Sequence, residues 1–131
     1  MAGSYSDAEE RAVLDFVLGV SPAANRWLAL FTSDPLDAGT GTECAGGTYV
    51  RMPISFNAAS TNTSGVTSAT NNGAVTFPRA LASWGTISHF GIYDAVSGGT
   101  LLAHADFDSP TAIGVNQIFE VADDGLTVTQ T

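Results

Sequence analysis

The chain has 131 residues, a single cysteine, 13 acidic side chains and four basic ones, for a formal charge of -9. The four cations are Arg11, Arg26, Arg51 and Arg79, with no lysine; they are too few and too scattered to track nucleic-acid phosphates or to hold an anionic membrane surface. Cys44 alone rules out an intrachain disulfide, and no apolar run reaches the ~18 residues of a membrane-spanning helix.

Residues 1–131 suit one domain, and an apolar content of 44% is enough for a core. The start, MAGSYSDAEER, lacks the basic-then-apolar order of a secretion signal, so folding in a reducing cytoplasm is expected. Residues 6–20 then read SDAEERAVLDFVLGV. Ser6 and Glu9 have capping-box spacing, and Asp7, Glu9 and Glu10 crowd the first turn, where a helix dipole favours negative charge. Ala12, Val13, Phe16, Val17 and Val20 follow helical spacing, and Gly19 and Pro22 mark a stop. The pattern predicts one amphipathic helix over about 6–19. If Phe16 lies on its buried face, Phe16→Ala costs roughly 3–5 kcal/mol.

The remainder reads as β. RWLALFT (26–32) is short, apolar and aromatic, as a strand buried on both faces would be. Residues 33–48 carry Gly, Asp, Thr and Pro35 and read as a loop. In YVRMPISF (49–56), Val50, Met52, Ile54 and Phe56 alternate with Tyr49, Arg51, Pro53 and Ser55; Pro53 places this strand at an edge or a bulge. Residues 57–73 are nearly all Asn, Ala, Ser, Thr and Gly and read as a long polar connection. Strands follow near 74–77, 86–94, 101–107, 116–122 and 126–130, with turn signals at 97–99, 108–114 and 123–125. The expected fold class is mainly β: an antiparallel β-sandwich or barrel, jelly-roll-like, with one N-terminal amphipathic helix.

The segment 84–107, WGTISHFGIYDAVSGGTLLAHADF, is the richest in potential chemistry. It also reads as a hairpin. Phe90 and Ile92 share one face, and His89, Gly91 and Tyr93 the other. Asp94, Gly98 and Gly99 supply turn chemistry, and Leu101, Ala103, Ala105 and Phe107 line a face of the returning strand. A Cys44–His89–Asp94 catalytic set finds no supporting motif, and no Ser nucleophile elbow is present. His104, Asp106 and Asp108 alternate as a metal set would, but equally as a solvated face. Asp34, Asp37 and Glu43 lack calcium-loop spacing. GTGTECAGG (39–47) is followed by no G-K-[ST] and is no phosphate loop. No catalytic residue, metal site or cofactor is therefore expected, and no enzyme activity. The large aromatics are spread along the strands as a core, which leaves Tyr5, Tyr49 and Tyr93 as surface or interface candidates.

Three stretches carry a resemblance: 28-LALFTSDPLDAGTGTE-43 with 46-GGTYVRMPISF-56, 71-NNGAVTFPRALASWGTISHFGIYDA-95, and 98-GGTLLAHADF-107. They resemble a family of small tailed-bacteriophage virion proteins, variously minor capsid, head-decoration or tail-fibre-like, over roughly residues 8–107. The shared features are F-T-x-x-P, G-G-x-Y-x-R, T-F-P, and W-G-T-[IV]-x-x-F-G-[IL]-[YF]-D-A followed by G-G-x-L-L; Met52 before Pro53 is a minor departure. The resemblance implies a virion structural protein on the capsid exterior, decorating or cementing the outer surface, with the major capsid protein and itself as partners. The alternative is a tail-fibre or receptor/glycan-binding module. Self-association, with a trimer favoured, is expected because sheet edges need cover and Pro53 protects only one.

Overall fold

A computed structural model of the chain describes residues 5–130. It is mainly β, with antiparallel sheets and one helix near the N-terminus. Helix α1 is Asp7–Val17; the strands are β1 Arg26–Phe31, β2 Met52–Ile54, β3 Ser60–Thr61, β4 Thr67–Thr70, β5 Val75–Thr76, β6 Gly85–Tyr93, β7 Leu101–Ile113, β8 Glu120–Val121 and β9 Thr127–Gln130. The main sheet has the order β2-β1-β6-β7; the smaller ones are β3-β4-β9 and β5-β8. None of these sheets closes into a barrel, so of the two architectures the sequence allowed, the arrangement is sandwich-like.

The helix forms where the cap predicts. Ser6 Oγ accepts from the Glu9 backbone N–H at 3.2 Å. At the other end Gly19 adopts φ 74° and donates its N–H to Phe16 O, and Arg26 donates to the carbonyls of Val17 (2.6 Å) and Phe16 (3.2 Å). A cation at a helix C-terminus both fills orphan acceptors and opposes the dipole.

Its buried face differs from the predicted stripe. Leu14 and Leu18 are buried, Val17 and Val20 pack beside them, and Phe16 is 61% exposed. Two polar residues complete the inward face. Arg11 donates to Thr61 Oγ1 at 2.9 Å, and Asp15 accepts the Ala59 backbone N–H at 2.7 Å. Arg11, Leu14, Asp15 and Leu18 thus form an i, i+3, i+4, i+7 contact that a count of apolar residues passes over. The cost expected for Phe16 therefore moves to its neighbours. Leu18→Ala should lose about 2–5 kcal/mol in denaturant melts, and Phe16→Ala less than about 1 kcal/mol.

Strand β1 sits at the centre of the main sheet, between β2 and β6, and its last four residues are all buried. Leu28 and Leu30 face the main core with Ile54, Ile87, Phe90 and Ile92; helix residues Leu14 and Leu18 and small-sheet residues Ala69, Val75, Val121 and Val128 close it. Phe77, Trp84, Tyr49 and Phe119 fill one region by edge-on and stacked contacts, with Tyr49–Trp84 centroids 5.4 Å apart. The buried Trp84 Nε1 has no hydrogen-bond acceptor among the described residues.

Three expectations need correction. Residues 57–73 are no mere connection: they form β3 and β4, and Thr67 and Asn71 are among the most buried residues of the chain. The turn expected at 108–114 is a disruption within β7. Ile87 pairs with Thr111 but His89 with Asp106, so 107–110 bulge from the ladder and the strand resumes. A second irregularity pairs Ile92 with Ala103 but Tyr93 with Leu101. It moves Leu101 off the face of Ala103, Ala105 and Phe107 and onto the outer face beside Phe31 and Tyr93.

The sheet edges are also better protected than the sequence implied. Pro53 lies in β2, an edge strand of only three residues. The other edge, β7, carries exposed Asp106, Asp108 and Pro110. Charge and proline both oppose strand addition at these two edges of the main sheet.

Candidate functional site

The outer face of the main sheet is covered by the loop between β1 and β2. Beneath that loop Ala29, Phe31 and Tyr93 form a second, smaller core with Leu101 against it. Gly91 makes room for it. A Cβ there would stand 2.8 Å from a Leu101 methyl and 3.1 Å from both the Phe31 and Tyr93 rings. The glycine in the F-G-[IL]-[YF] step is thus needed for close side-chain approach over the strand.

Arg51 ties the loop, the edge strand and the β6–β7 turn together. Its Nε and Nη2 donate to Glu43 Oε2 and Oε1, each at 2.9 Å, in a forked pair. Its Nη1 donates to the carbonyls of Ala95 (3.0 Å) and Gly98 (2.7 Å). The guanidinium lies 3.7 Å from the Tyr93 ring centroid. Tyr49 donates its hydroxyl to Glu43 Oε2 at 2.7 Å and accepts the Leu30 N–H at 3.1 Å. The bond to Glu43 favours the charged form of Arg51 and raises its pKa. Burial, then the neighbouring Glu43 carboxylate, drive the Tyr49 phenol well above its ordinary range.

These positions revise the strand reading of 49–56. Met52, Ile54 and Phe56 do point inward, but Val50 is exposed and Arg51 is 8% exposed. Tyr49 and Tyr93, expected at the surface or an interface, are held inside this network, while Tyr5 is exposed. The G-G-x-Y-x-R step held the available signal: an arginine inside the strand expected at 49–56, in a chain with only four cations.

The candidate chemical sets do not assemble. Cys44 packs in the main core and donates its N–H to Leu30 O. His89 lies opposite Phe31 on the outer face, where its Nδ1 meets Ser88 Oγ at 2.8 Å. Asp94 Oδ1 accepts the Thr100 N–H at 2.8 Å and serves the turn. The Asp34–Asp37–Glu43 group is divided: Glu43 binds Arg51, and the two aspartates flank His104. Asp37 Oδ1 is 2.9 Å from His104 Nε2 and Asp34 Oδ1 is 3.7 Å from Nδ1. Those contacts fall on opposite sides of the imidazole, so the ring clips the loop and cannot gather both carboxylates around one ion. Among the described residues no cluster of three His, Cys, Asp or Glu could hold a metal.

Burial, followed by the Glu43 carboxylate, pushes the Cys44 thiol from an ordinary 9.0 up to about 11. Both Cys44 and Tyr49 are therefore neutral in the fold at pH values where the unfolded chain ionises. Their stabilisation is complete below about pH 9 and is lost as pH rises through the folded values. Thermal melts between pH 8 and 11 should show a falling Tm, with the fall between 9 and 11 reduced in Cys44→Ala. Disulfide-exchange reagents should label native Cys44 at pH 8 at least tenfold more slowly than the unfolded chain. Equal rates would place the thiol outside the core.

No curated protein matches the chain. Residues 4–129 match the model of one family, described as Podophage GP4 fiber I protein gp80. That span takes in the covered outer face, the Arg51 network and both layers of the sandwich. The chain belongs to this phage fibre protein family and is a structural protein of a tailed-phage virion.

Proposed function

We propose that the chain is a component of a tail fibre, in preference to a capsid decoration or cement protein. The observation that carries this reading is the fibre-family match over residues 4–129. The test is gold labelling of intact virions with antibody raised against the purified chain. Label along fibres is the expected result; label spread over the head would overturn it and restore the decoration reading.

We further propose that copies of the chain associate through one flank, with a trimer as the expected state. Segments 45–50, 79–84, 95–98 and 114–118 contain no acidic residue, although the chain has 13. Gly47 abuts the backbone of Leu81 and Ala82, Thr48 Oγ1 donates to Arg79 O, and Ala80 exchanges backbone hydrogen bonds with Asn116 and Gln117. Val50 and Val96 border a common cleft. Val50, Leu81, Val96, Val115 and Ile118 are all exposed on these segments. Two chains of charge -9 repel, and here they can meet with the least like-charge cost. Light scattering at micromolar concentration should give a multiple of 13.4 kDa, and Leu81→Glu with Val115→Glu should return it to one. A monomeric parent chain would defeat the proposal.

A further inference from the structure

The outer-face network encloses a cleft whose polar groups are only partly engaged. Its volume is about 310 Å³. The half-buried Leu101, with the nearly buried Phe31 and Tyr93, lines the floor above Gly91; Ala38 and Gly39 on the covering loop and Gly98 and Gly99 on the β6–β7 turn form the rim. Glu43 and Arg51 close one side.

Tyr93 is 7% exposed, yet its hydroxyl has no hydrogen-bond partner among the described residues. That hydroxyl opens beside Gly39, where an added Cβ would lie 3.9 Å from it. Tyr49 differs, since its hydroxyl is engaged by both Glu43 and Leu30. Glu43 Oε1 receives one bond, from Arg51 Nη2, and retains accepting capacity. Four of the five Arg51 N–H groups have partners, which leaves one on Nη2. The cleft therefore presents a hydroxyl that donates and accepts, a carboxylate acceptor and a guanidinium donor over apolar carbon.

The carboxylate disfavours an anion, and Arg51 neutralises that carboxylate and so disfavours a cation. A neutral molecule with several hydroxyls and a C–H face satisfies both conditions. The volume is at the lower end of the roughly 300–1,000 Å³ of small-molecule sites, which fits a single sugar ring. We propose that this cleft binds one neutral saccharide unit. The proposal stands on the geometry of the cleft and not on where the chain lies in the virion.

The test titrates the full chain separately with glucose, galactose, mannose and N-acetylglucosamine, followed by saturation-transfer NMR and calorimetry. At least one sugar should bind saturably at millimolar concentration. Tyr93→Phe removes the free hydroxyl and keeps the ring under Arg51; it should weaken binding at least tenfold with Tm unchanged. Ala38→Trp, at the exposed rim, should block the cleft and abolish binding; it carries the test if Tyr93→Phe fails to fold. Absence of binding by all four sugars, equal affinity in a folded Tyr93→Phe or Ala38→Trp variant, or tighter binding of glucuronate or inorganic phosphate would each overturn the proposal.

Discussion

Replacing Arg51 with alanine is expected to destabilise the protein by about 3–5 kcal/mol, because it leaves the Glu43 carboxylate without its counter-charge in a largely enclosed site. The loss has several parts. Glu43 forfeits a forked pair at 2.9 Å on both oxygens. The carbonyls of Ala95 and Gly98 forfeit their donor, so the β6–β7 turn loosens with the covering loop. Tyr93 loses the guanidinium from its face. Lysine should recover little, since an ammonium cannot present two parallel N–H groups to a carboxylate while reaching two carbonyls. Urea melts of Arg51→Ala, Glu43→Gln and the double variant give the coupling directly. A double variant that loses much less than the sum of the singles is expected; strict additivity would mean the two side chains act independently.

The second large effect is at Asn71, where alanine should cost about 3 kcal/mol or more. Asn71 is fully buried at the end of β4, and all its side-chain bonds run to backbone. Oδ1 accepts the Leu126 N–H at 2.9 Å; Nδ2 donates to Gly73 O at 2.8 Å and Ala122 O at 2.9 Å. Truncation strands the Leu126 N–H and the Gly73 carbonyl, each costing about 1–3 kcal/mol when no water replaces the partner, and leaves Ala122 O with the Gly125 N–H alone. Aspartate should be no better, because it cannot donate to two carbonyls. The companion change Asn57→Ala should cost less. Its contacts to Thr70 Oγ1 and Asp124 Oδ1 are nearer solvent, and water can replace them. Hydrogen exchange provides a second check. The Leu126 amide should lose protection in Asn71→Ala and keep it in Asn57→Ala.

Much of the fold was legible because its signals are local. Ser6 and Glu9 announce the helix start through spacing alone, and Gly19 with φ 74° announces its end. The alternation of Phe90 and Ile92 against His89, Gly91 and Tyr93 assigns two faces, and the two cores divide between them in that way. The choice of helix face failed for a non-local reason. Arg11 and Asp15 point inward because Thr61 and the Ala59 amide, some fifty and forty-four residues away, satisfy them. The polar run 57–73 failed as a strand prediction in the same way, since β4 is secured by β9 and by an asparagine whose partners lie on the β8–β9 turn.

The sequence by itself determined the strand-rich architecture, the cap of the helix, the hairpin of β6 and β7, and the lack of any local motif for catalysis or phosphate binding. Each of these depends on residue spacing, turn chemistry or composition. Only the tertiary structure decided that Glu43, Tyr49, Arg51 and Tyr93 meet, that His104 separates the aspartates it attracts, and that Leu101 crosses to the outer face. These outcomes depend on register shifts and on partners brought from distant segments. A one-residue slip reverses the face on which a side chain points, and no local pattern records it.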